Sequence, residues 1–470
     1  MKELLVIYDD SRHPVAEICS ITGRKSYGNI IFKRQSLRQR TREKLAGLEG
    51  VYAFVGADET ADLARQAYIR EMPVFKLYSD HEAVDIPAVA ILFEKARYIK
   101  ENYAVECNGQ IAAVMYPSFS AFTEQTDDLA EDGYERIESD AFISLADVNN
   151  FRTFITSGFD ARFFNALSGD EYTVVKSSDN VEKLRREYKY FTLLPPFMKQ
   201  WYGTVFDYKE DGGRASYSIE RYHMTDLALR YVHGAISEDE FRDICRVLFH
   251  FISIRKIRQV SDEEYDNNTR SLYLDKVDER IEQLKGLKGY ERIRDYIAIG
   301  TEYNDIDEII ADYKELYRKI TEGRRFKKVM AVAHGDLCFS NILYNRDVSL
   351  LKLIDPKGAE TEDELYMNPY YDIAKLSHSI CGSYDYFNSD QYDISMDENM
   401  KLKLTVDSDN DRYVKIFYEY LTENGIDPRL IRLYETSLFL SMLPLHMDRE
   451  KKVLGFILNA INIMDELKRE

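Results

Sequence analysis

The feature that most constrains the fold is a polar loop enclosed by two apolar runs near residue 340. The loop lies in the segment VAHGDLCFSNILYN, which carries His334, Gly335, Asp336 and Asn341. A second segment, LKLIDPKG, places Asp355 directly behind another apolar run. The order His–x–Asp, four residues, Asn is typical of a catalytic loop for phosphoryl transfer. An ordinary loop of turn-forming polar residues is the alternative interpretation.

The chemistry of phosphoryl transfer explains why these residue types recur at this spacing. We predict that Asp336 is the catalytic residue, because an aspartate in this place faces the attacking hydroxyl and accepts its proton. Asn341 offers an amide oxygen to a magnesium ion, and Asp355 offers a charged oxygen to the metal that bridges the nucleotide phosphates. Asn341 and Asp355 are therefore the predicted Mg²⁺ ligands.

The chain before this loop predicts a small lobe of strands with one helix. Apolar and β-branched runs separated by turn residues predict strands at 151–157, 162–167, 172–178, 204–209 and 215–222. Helical spacing of apolar residues predicts a helix after the third strand, and Pro195-Pro196 ends it. Three strands, a helix and two strands are the order of a protein-kinase-like small lobe. From residue 224 onwards the pattern is mostly helical.

Lys176 lies on the third predicted strand, eleven residues before Glu187 on the helix. A strand lysine that reaches the nucleotide phosphates and pairs with a helix glutamate forms the other half of a phosphoryl-transfer site. Glu182 is the rival partner, but it lies early in the helix and is expected to face elsewhere. A solvated surface lysine is the alternative interpretation of Lys176.

The first part of the chain reads as a separate α/β domain. Apolar runs at 4–8 and 51–55, a helical stretch at 58–71 and a third run after Pro73 indicate a βαβ unit. A helix is expected over about 88–103, and Asn108-Gly109 predicts a tight hairpin turn. The acidic stretch 124–138 is expected to be a linker. We therefore predict an α/β domain at 1–138, a small lobe at 139–223 and a helical large lobe at 224–470.

Charge and composition exclude several classes of protein. The 470 residues carry 82 acidic and 63 basic side chains, a formal charge of −19, which argues against a nucleic-acid partner. No apolar run approaches the roughly 18 residues that span a bilayer, and the N-terminus does not read as a signal peptide. The five cysteines form no CxxC pair, which favours reduced thiols. We expect a cytoplasmic protein.

These segments together resemble the aminoglycoside phosphotransferase and choline kinase family. HGDLCFSNIL, LIDPKG and YYDIAKL follow one another as in that family, over about residues 150–450. The resemblance implies a protein-kinase-like fold, ATP and Mg²⁺ as cofactors, and a small-molecule acceptor. It also implies that Asp372 braces the catalytic loop from the following helix, a simple helix cap being the alternative. We expect His334 to support the same loop.

Two departures from the kinase pattern refine this expectation. No GxGxxG is present, so that only Gly158, with Ser157 and Arg162 nearby, can form the loop over the phosphates. Sixteen residues separate Asp355 from Asp372, too few for the activation segment of a protein kinase, which favours a small-molecule acceptor. The form of the segments also resembles a branch associated with bacterial capsule and surface-polysaccharide proteins, in which the kinase-like domain follows an α/β domain.

Three further groups of residues have two interpretations each. A basic cluster in the first domain is either a solvated helix face or an edge that binds phosphate or a nucleotide sugar; its members are Lys33, Arg34, Arg38, Arg40, Arg42 and Lys44. His378 either binds substrate or packs within a helix. The patch Tyr384–Tyr386 either receives a hydroxyl-bearing or cationic substrate or packs below the cleft.

The sequence thus predicts an α/β domain followed by an α+β protein-kinase-like bilobal domain with a five-stranded small lobe and a helical large lobe. The expected activity is ATP- and Mg²⁺-dependent transfer of phosphate to a hydroxyl of a sugar or amino alcohol. One alternative is a nucleotide-binding pseudokinase with a regulatory or scaffolding role. Another is a bifunctional enzyme whose first domain, which resembles a degenerate nucleotidyltransferase, has its own activity. The oligomeric state is not predicted.

Overall fold

The computed structural model describes residues 2–124, 133–156, 165–170 and 172–469. The chain divides into two compact units. The first comprises Met1–Asp160 with the short segment His233–Ala235, and the second comprises Ala161–Val232 and Ile236–Glu470. The first unit therefore extends beyond residue 138, at which we predicted the first domain to end.

The first unit is built on a six-stranded mixed sheet in the order β4-β1-β5-β8-β7-β9. The strands in the described part of this unit are β1 Leu4–Asp9, β2 Ile31–Phe32, β3 Gln35–Ser36, β4 Val51–Gly56, β5 Val74–Tyr78, β6 His81–Ala83, β7 Tyr103–Cys107, β8 Gln110–Tyr116, β9 Glu135–Glu138 and β10 Phe142–Ser144. β1 pairs in parallel with both β4 and β5, and β7 and β8 form the predicted hairpin. Asn108 and Gly109 supply the two positive φ angles, 49° and 78°, that its tight turn requires.

Helices of the described residues accompany this sheet. They are α1 Ala16–Thr22, α2 Leu37–Leu45, α3 Thr60–Leu63, α4 Ile86–Ala96, α5 Phe119–Glu124 and α6 Val148–Thr156. α4 carries a stripe of buried residues, including Val89, Leu92 and Phe93, that packs into the core of the unit. Strands β1, β4 and β5 confirm that the three apolar runs of the predicted βαβ unit are strands.

Two predictions for this region were wrong. Residues 151–156 are helical and form no strand, because Asp147 caps the start of α6 through the backbone N–H of Asn150 and the apolar side chains Phe151 and Ile155 then recur at helical spacing. Residue 157 lies outside the described residues. Within the predicted linker, Glu135–Glu138 forms the edge strand β9, because it pairs with β7 in parallel.

The second unit begins with a four-stranded antiparallel sheet in the order β11-β12-β14-β13. Its strands are β11 Asn165–Gly169, β12 Thr173–Ser178, β13 Val205–Asp211 and β14 Arg214–Glu220. Four of the five strands predicted for the small lobe are present among the described residues. The fifth, predicted at 151–157, is the helix α6 of the first unit over its described residues. Lys176 on β12 lies opposite Tyr217 on β14, so that both side chains are on the same face.

Helix α7, Val181–Leu193, follows β12 and covers that face of the sheet. The side chain of Asn180 caps its first turn by accepting a hydrogen bond from the backbone N–H of Lys183 at 3.0 Å. Leu184, Glu187 and Phe191 recur at helical spacing on its buried face. The helix ends before Pro195, as predicted.

The remainder of the second unit is mainly helical, as predicted. Its helices are α8 Leu227–Val232, α9 Glu238–Ile254, α10 Asp262–Arg270, α11 Lys276–Lys285, α12 Tyr290–Gly300, α13 Ile306–Thr321, α14 Tyr371–Ile380, α15 Tyr384–Asn388, α16 Asp411–Glu423, α17 Pro428–Met442 and α18 Glu450–Arg469. Short strands lie between them: β15 Thr225–Asp226, β16 Ile257–Gln259, β17 Val329–Val332, β18 Ile342–Asn345, β19 Leu350–Leu353, β20 Tyr366–Met367, β21 Tyr392–Met396 and β22 Leu402–Val406. No helix in the described part of the chain is long and apolar enough to cross a membrane.

The short strands hold the segments that carry the candidate site. The backbone between β17 and β18 is the polar loop with His334, Asp336 and Asn341. β18 and β19 form an antiparallel pair, and Asp355 follows directly after it. A backbone hydrogen bond of 3.0 Å from Ile354 N–H to Asn341 O joins the end of the loop to the segment that carries Asp355.

Candidate active site

Lys176, Glu187 and Asp355 meet in the second unit although Lys176 and Asp355 are 179 positions apart in the sequence. Lys176 Nζ donates to Glu187 Oε1 and lies 2.8 Å from Asp355 Oδ1. Lys176 and Glu187 are buried, whereas the side chain of Asp355 is 55% exposed. Glu182, the rival partner, is exposed in the first turn of α7. The strand lysine and the helix glutamate therefore pair as the sequence predicted.

The charges of this cluster follow from its burial and contacts. Burial lowers the pKa of Lys176, but the two carboxylates outweigh it and hold the pKa above the ordinary value for lysine. The surrounding protein raises the pKa of Asp355, but the ammonium of Lys176 lowers that pKa by more, so the net shift is downward. Burial raises the pKa of Glu187, whose carboxylate also accepts a hydrogen bond from the Tyr217 hydroxyl. Lys176 and Asp355 thus remain charged at neutral pH.

The backbone of the polar loop is fixed from helix α14. The two carboxylate oxygens of Asp372 accept hydrogen bonds from the backbone N–H groups of His334 and Gly335, at 2.9 Å each. Arg255 donates to the same carboxylate at 3.0 Å, and all of these groups are buried. Asp372 therefore contacts the loop as the resemblance implied.

His334 links the two segments of the site. Its Nε2 lies 2.9 Å from Ile354 O, and its Nδ1 accepts the backbone N–H of Asp336 at 3.2 Å. These contacts assign the proton to Nε2, since Nδ1 acts as an acceptor. Burial lowers the pKa of His334 and so favours the neutral ring. The neutral ring is also the form that these two hydrogen bonds require. His334 is buried, and it thereby orients Asp336 from within the protein.

The carboxylate of Asp336 is held from two sides. Lys375 Nζ lies 2.9 Å from its Oδ1, and Asn341 Nδ2 donates to its Oδ2 at 3.1 Å and to its backbone oxygen at 2.8 Å. The side chain of Asp336 is 39% exposed. Burial lowers the pKa of Lys375, but the charge of Asp336 outweighs it and raises that pKa. Asp336 is thus oriented and remains accessible to a ligand.

The oxygens left over in this arrangement fit a magnesium ion bound together with phosphates. Because the amide nitrogen of Asn341 is turned toward Asp336, its oxygen is directed elsewhere, and Lys176 contacts only one oxygen of Asp355. Mg²⁺ is commonly bound by one or two protein oxygens together with substrate phosphates and water. No cluster of three or more His, Cys, Asp or Glu suited to a metal exists in the described ranges, so the phosphates would have to complete the coordination.

The basic cluster and the residues expected to cover the phosphates are two further sets of sequence candidates. In the basic cluster of the first unit, Arg38 pairs with Glu59 at 2.6 Å, and Arg40 and Lys44 both pair with Glu82. These ion pairs favour the interpretation as a charge-balanced helix face. Gly158, Ser157 and Arg162, the residues expected to cover the phosphates, lie outside the described residues.

The patch Tyr384–Tyr386 is buried, which favours packing over a surface that receives substrate. His378 is also buried and packs against Tyr384, with 4.2 Å between the ring centroids. Burial, reinforced by the charge of Lys375, holds the pKa of His378 well below its ordinary value.

Sequence reasoning missed three residues that support the site. Lys375 lies within the segment YYDIAKL, three residues after Asp372, and this spacing was the available signal. Tyr217 lies opposite Lys176 in the sheet, which only the strand register shows. Arg255 lies 117 residues before Asp372, and no pattern in the sequence links the two.

Comparisons with known proteins give matches among solved structures alone. No protein-family model matches the chain, and a search of curated proteins finds no match. The structure is similar to that of the GDP complex of aminoglycoside 2'-phosphotransferase-IIIa, at 14% identity and a TM-score of 0.39, over 69% of this chain and 99% of that chain.

Two further solved structures show a comparable degree of similarity. Aminoglycoside phosphotransferase APH(4)-Ia matches at 12% identity and a TM-score of 0.37, over 68% of this chain and 98% of its own. Choline kinase from Cryptosporidium parvum Iowa II matches at 11% identity and a TM-score of 0.35, over 68% of this chain and 93% of its own. These are proteins of the family that the HGD and LID segments resemble.

Proposed function

We propose that this protein is a phosphotransferase that transfers the γ-phosphate of ATP, with Mg²⁺, to a hydroxyl of a small molecule such as a sugar or an amino alcohol. The observation that carries the proposal is the convergence of Lys176, Glu187 and Asp355 beside a loop that holds Asp336 and Asn341 in fixed orientations. We also propose that the reaction takes place in the cytoplasm and serves the biosynthesis of surface polysaccharides.

In the proposed reaction, Lys176 binds the phosphates of ATP and Glu187 holds the lysine in place. Asn341 and Asp355 would hold Mg²⁺, which when bound would supply positive charge that neutralises the phosphates. Asp336 hydrogen-bonds the acceptor hydroxyl, positions it in line and takes up its proton as the transfer proceeds. A bond forms between the acceptor oxygen and the γ-phosphorus, the bond from that phosphorus to the β-phosphate oxygen breaks, and ADP leaves.

The supporting contacts explain how the unliganded site stays ready for this reaction. Lys375 lies 2.9 Å from Asp336 Oδ1 and so holds that carboxylate in one orientation. Asp372 and His334 fix the backbone on either side of Gly335, so that Asp336 points out of the loop. Such preorganisation lowers the cost of aligning the acceptor.

The test is phosphate transfer from labelled ATP to a panel of hydroxyl compounds, with the full chain and Mg²⁺. Asp336→Asn should lower turnover by about 10²–10⁴-fold, the usual contribution of a positioned general base, and should leave ATP affinity nearly unchanged. Asp347→Asn, a change at an exposed residue outside the site, is the matched control. Equal turnover in wild type and Asp336→Asn would contradict the proposal.

The pseudokinase alternative is supported by the absence of a GxGxxG motif over the phosphates. It predicts that the protein binds ATP but transfers phosphate to no acceptor, so that Asp336→Asn has no turnover to lower. The presence of Asp336, Asn341 and Asp355 together favours the enzyme instead.

A further inference from the structure

Three lysines gather around one buried tyrosine beside the catalytic loop. Tyr371 and Lys375 are four residues apart on α14 and so share a face of that helix. Lys276, at the start of α11, donates to the Tyr371 hydroxyl at 3.2 Å. Lys375 in turn lies 2.9 Å from Asp336 Oδ1. The cluster thus begins at the carboxylate expected to face the acceptor and extends along α14.

Lys357 brings a third positive charge to the same place. Its backbone N–H donates to His334 O at 3.0 Å, which fixes the base of its side chain against the loop. A Cβ atom on Gly335 would lie 2.6 Å from Lys357 Cβ, so only glycine fits there, at a φ of 80°. Although burial raises the pKa of Tyr371, the charges of Lys276, Lys375 and Lys357 lower it below its ordinary value.

Two of these lysines lack a counter-charge, although the chain as a whole is acidic. Lys375 pairs with Asp336, but neither Lys276 nor Lys357 has a carboxylate within ion-pair distance in the part of the chain that the structure describes. The basic cluster of the first unit differs in this respect, since Arg38 and Arg40 there pair with glutamates. Neighbouring like charges repel one another, and a cleft lined by them attracts anions.

Most carboxylates near the cluster are already paired or buried. Lys357 borders a pocket with Glu263, Glu264, Asp363 and Glu364, and the last three of these pair with Arg186 or Arg258. Asp385 is buried and its pKa is raised to about 7, chiefly by burial, so that it is half neutral near neutral pH. His378, one turn after Lys375 on α14, is buried, and neither ring nitrogen has a hydrogen-bond partner among the described residues. Lys375 is a cation in direct contact with Asp336, and Lys276 and Lys357 add positive charge beside the same loop.

We propose that the acceptor carries, besides its hydroxyl group, an anionic group of phosphate or carboxylate type, and that Lys276 and Lys357 bind this anion while Asp336 faces the hydroxyl. The inference rests on the proposed phosphotransferase function and narrows it, since a sugar phosphate or a sugar acid fits the cluster and an amino alcohol does not. The anion supplies the counter-charge that the two lysines lack. The bonds that form and break in the transfer are unchanged.

The first experiment measures transfer from ATP to acceptors matched in shape but not in charge, using the full chain. The series are glucose, glucose 6-phosphate and glucuronate, and glycerol, glycerol 3-phosphate and glycerate, with ethanolamine as the cationic member. We expect kcat/KM to be at least about tenfold higher for anionic members, because a charge-assisted contact is worth this much or more. The phosphate and carboxylate members distinguish the two kinds of anion. A preference for neutral or cationic members would overturn the inference.

Variants of the two unpaired lysines separate the acceptor from the nucleotide. Lys276→Gln and Lys357→Gln should each raise the KM of an anionic acceptor about tenfold and leave the KM of ATP within about twofold. Lys276→Arg and Lys357→Arg should restore most of the affinity, because the charge is kept. Lys288→Gln, at an exposed lysine, is the control. A rise in the KM of ATP instead would assign these lysines to the nucleotide and overturn the inference.

A measurement of acceptor binding in the absence of turnover tests the inference independently of the proposed function. Calorimetric titration of glycerol 3-phosphate into full-length Asp336→Asn saturated with Mg–ADP should show binding that is lost when both Lys276→Gln and Lys357→Gln are added. If no acceptor is ever phosphorylated but this binding is found, the anion site stands and the proposed function falls. If neutral acceptors are phosphorylated and no anion binds, the proposed function stands and the inference falls.

Discussion

The guanidinium of Arg255 lies 3.0 Å from the carboxylate of Asp372, and both groups are buried. Because Asp372 also accepts the backbone N–H groups of His334 and Gly335, one ion pair holds the loop that carries Asp336. Stability of the unit and geometry of the site therefore depend on the same carboxylate.

Asp372→Asn should lower both stability and activity. The change leaves Arg255 buried without a counter-charge, and breaking such a pair costs about 3–5 kcal/mol. Urea unfolding measures this loss. Asp363→Asn is the matched control, since Asp363 pairs with Arg258 at the surface and the loss there should be below about 1 kcal/mol. Equal losses of unfolding free energy in the two variants would show that Asp372 does not hold the loop in place.

Asp355→Asn should weaken Mg–ATP binding by about tenfold or more and raise the magnesium requirement, because a neutral amide replaces a charged ligand. Asp355 has a positive φ of 55°, and asparagine tolerates this backbone conformation, so the fold should be kept. Titration of ATP at several magnesium concentrations measures the effect. The same affinity and magnesium dependence in both proteins would assign Asp355 a structural role only.

Glu187→Gln should weaken ATP binding, because Lys176 would lose one of the two carboxylates that orient it. Glu182→Gln is the matched control on the same helix, since Glu182 is exposed. We expect a loss of about tenfold for the first variant, as for one charge-assisted contact, and no loss for the second. Fluorescence titration with a labelled nucleotide compares them, and equal affinities would remove Glu187 from the site.

The residues of the candidate site that have fixed spacing can be singled out from the sequence, and their roles are proposals. Asp336, Asn341 and Asp355 lie within one short stretch, so their chemistry shows in the order of residues. Arg255 could not be assigned at all, and Lys375 only by its position three residues after Asp372, because each reads as an ordinary charged helix residue until its partner is known. Their roles depend on packing between segments that are distant in sequence.

The strand predicted at 151–157 shows a different limit. Short apolar runs fit a strand and a helix equally well, and the decisive signal was the capping residue Asp147 before the run. Strand β9 shows a third limit, because Glu135–Glu138 has an acidic composition typical of a linker and is ordered by pairing with β7. In both cases a neighbouring residue or strand outweighs the local pattern.

The buried carboxyl of Asp385 should make stability depend on pH. Its folded pKa is raised to about 7 chiefly by burial, whereas an unfolded aspartate has a pKa of about 3.9. The folded state therefore binds the proton more tightly, and stability falls as the pH rises from about 4 to 7. At about 1.4 kcal/mol per pKa unit the loss is roughly 4 kcal/mol at most.

Asp385→Asn should therefore be more stable than wild type at pH 8, and the difference should shrink as the pH falls toward 5. Glu435, whose folded pKa is also raised to about 7 by burial, contributes a similar slope to both proteins and cancels in the comparison. Thermal melts at several pH values measure the difference. A constant difference at all pH values would indicate a packing effect of the amide instead.

A fragment that contains only the second unit should fold and bind nucleotide, because Lys176, Glu187, Asp336 and Asp355 all lie within it. The fragment should begin at residue 161. A start near residue 140 would retain Phe142, Phe151 and Ile155, which are buried apolar side chains of the first unit.

Thermal melts with and without Mg–ATP test this prediction, since a ligand that binds only the folded state raises the melting temperature. At a hundred times Kd the gain is about 2.7 kcal/mol, which corresponds to a shift of several degrees. The fragment from residue 161 should show the same shift as the full chain, and the fragment from residue 140 should be less soluble. A shift in the full chain alone would mean that nucleotide binding needs the first unit, and that the two units form one functional domain.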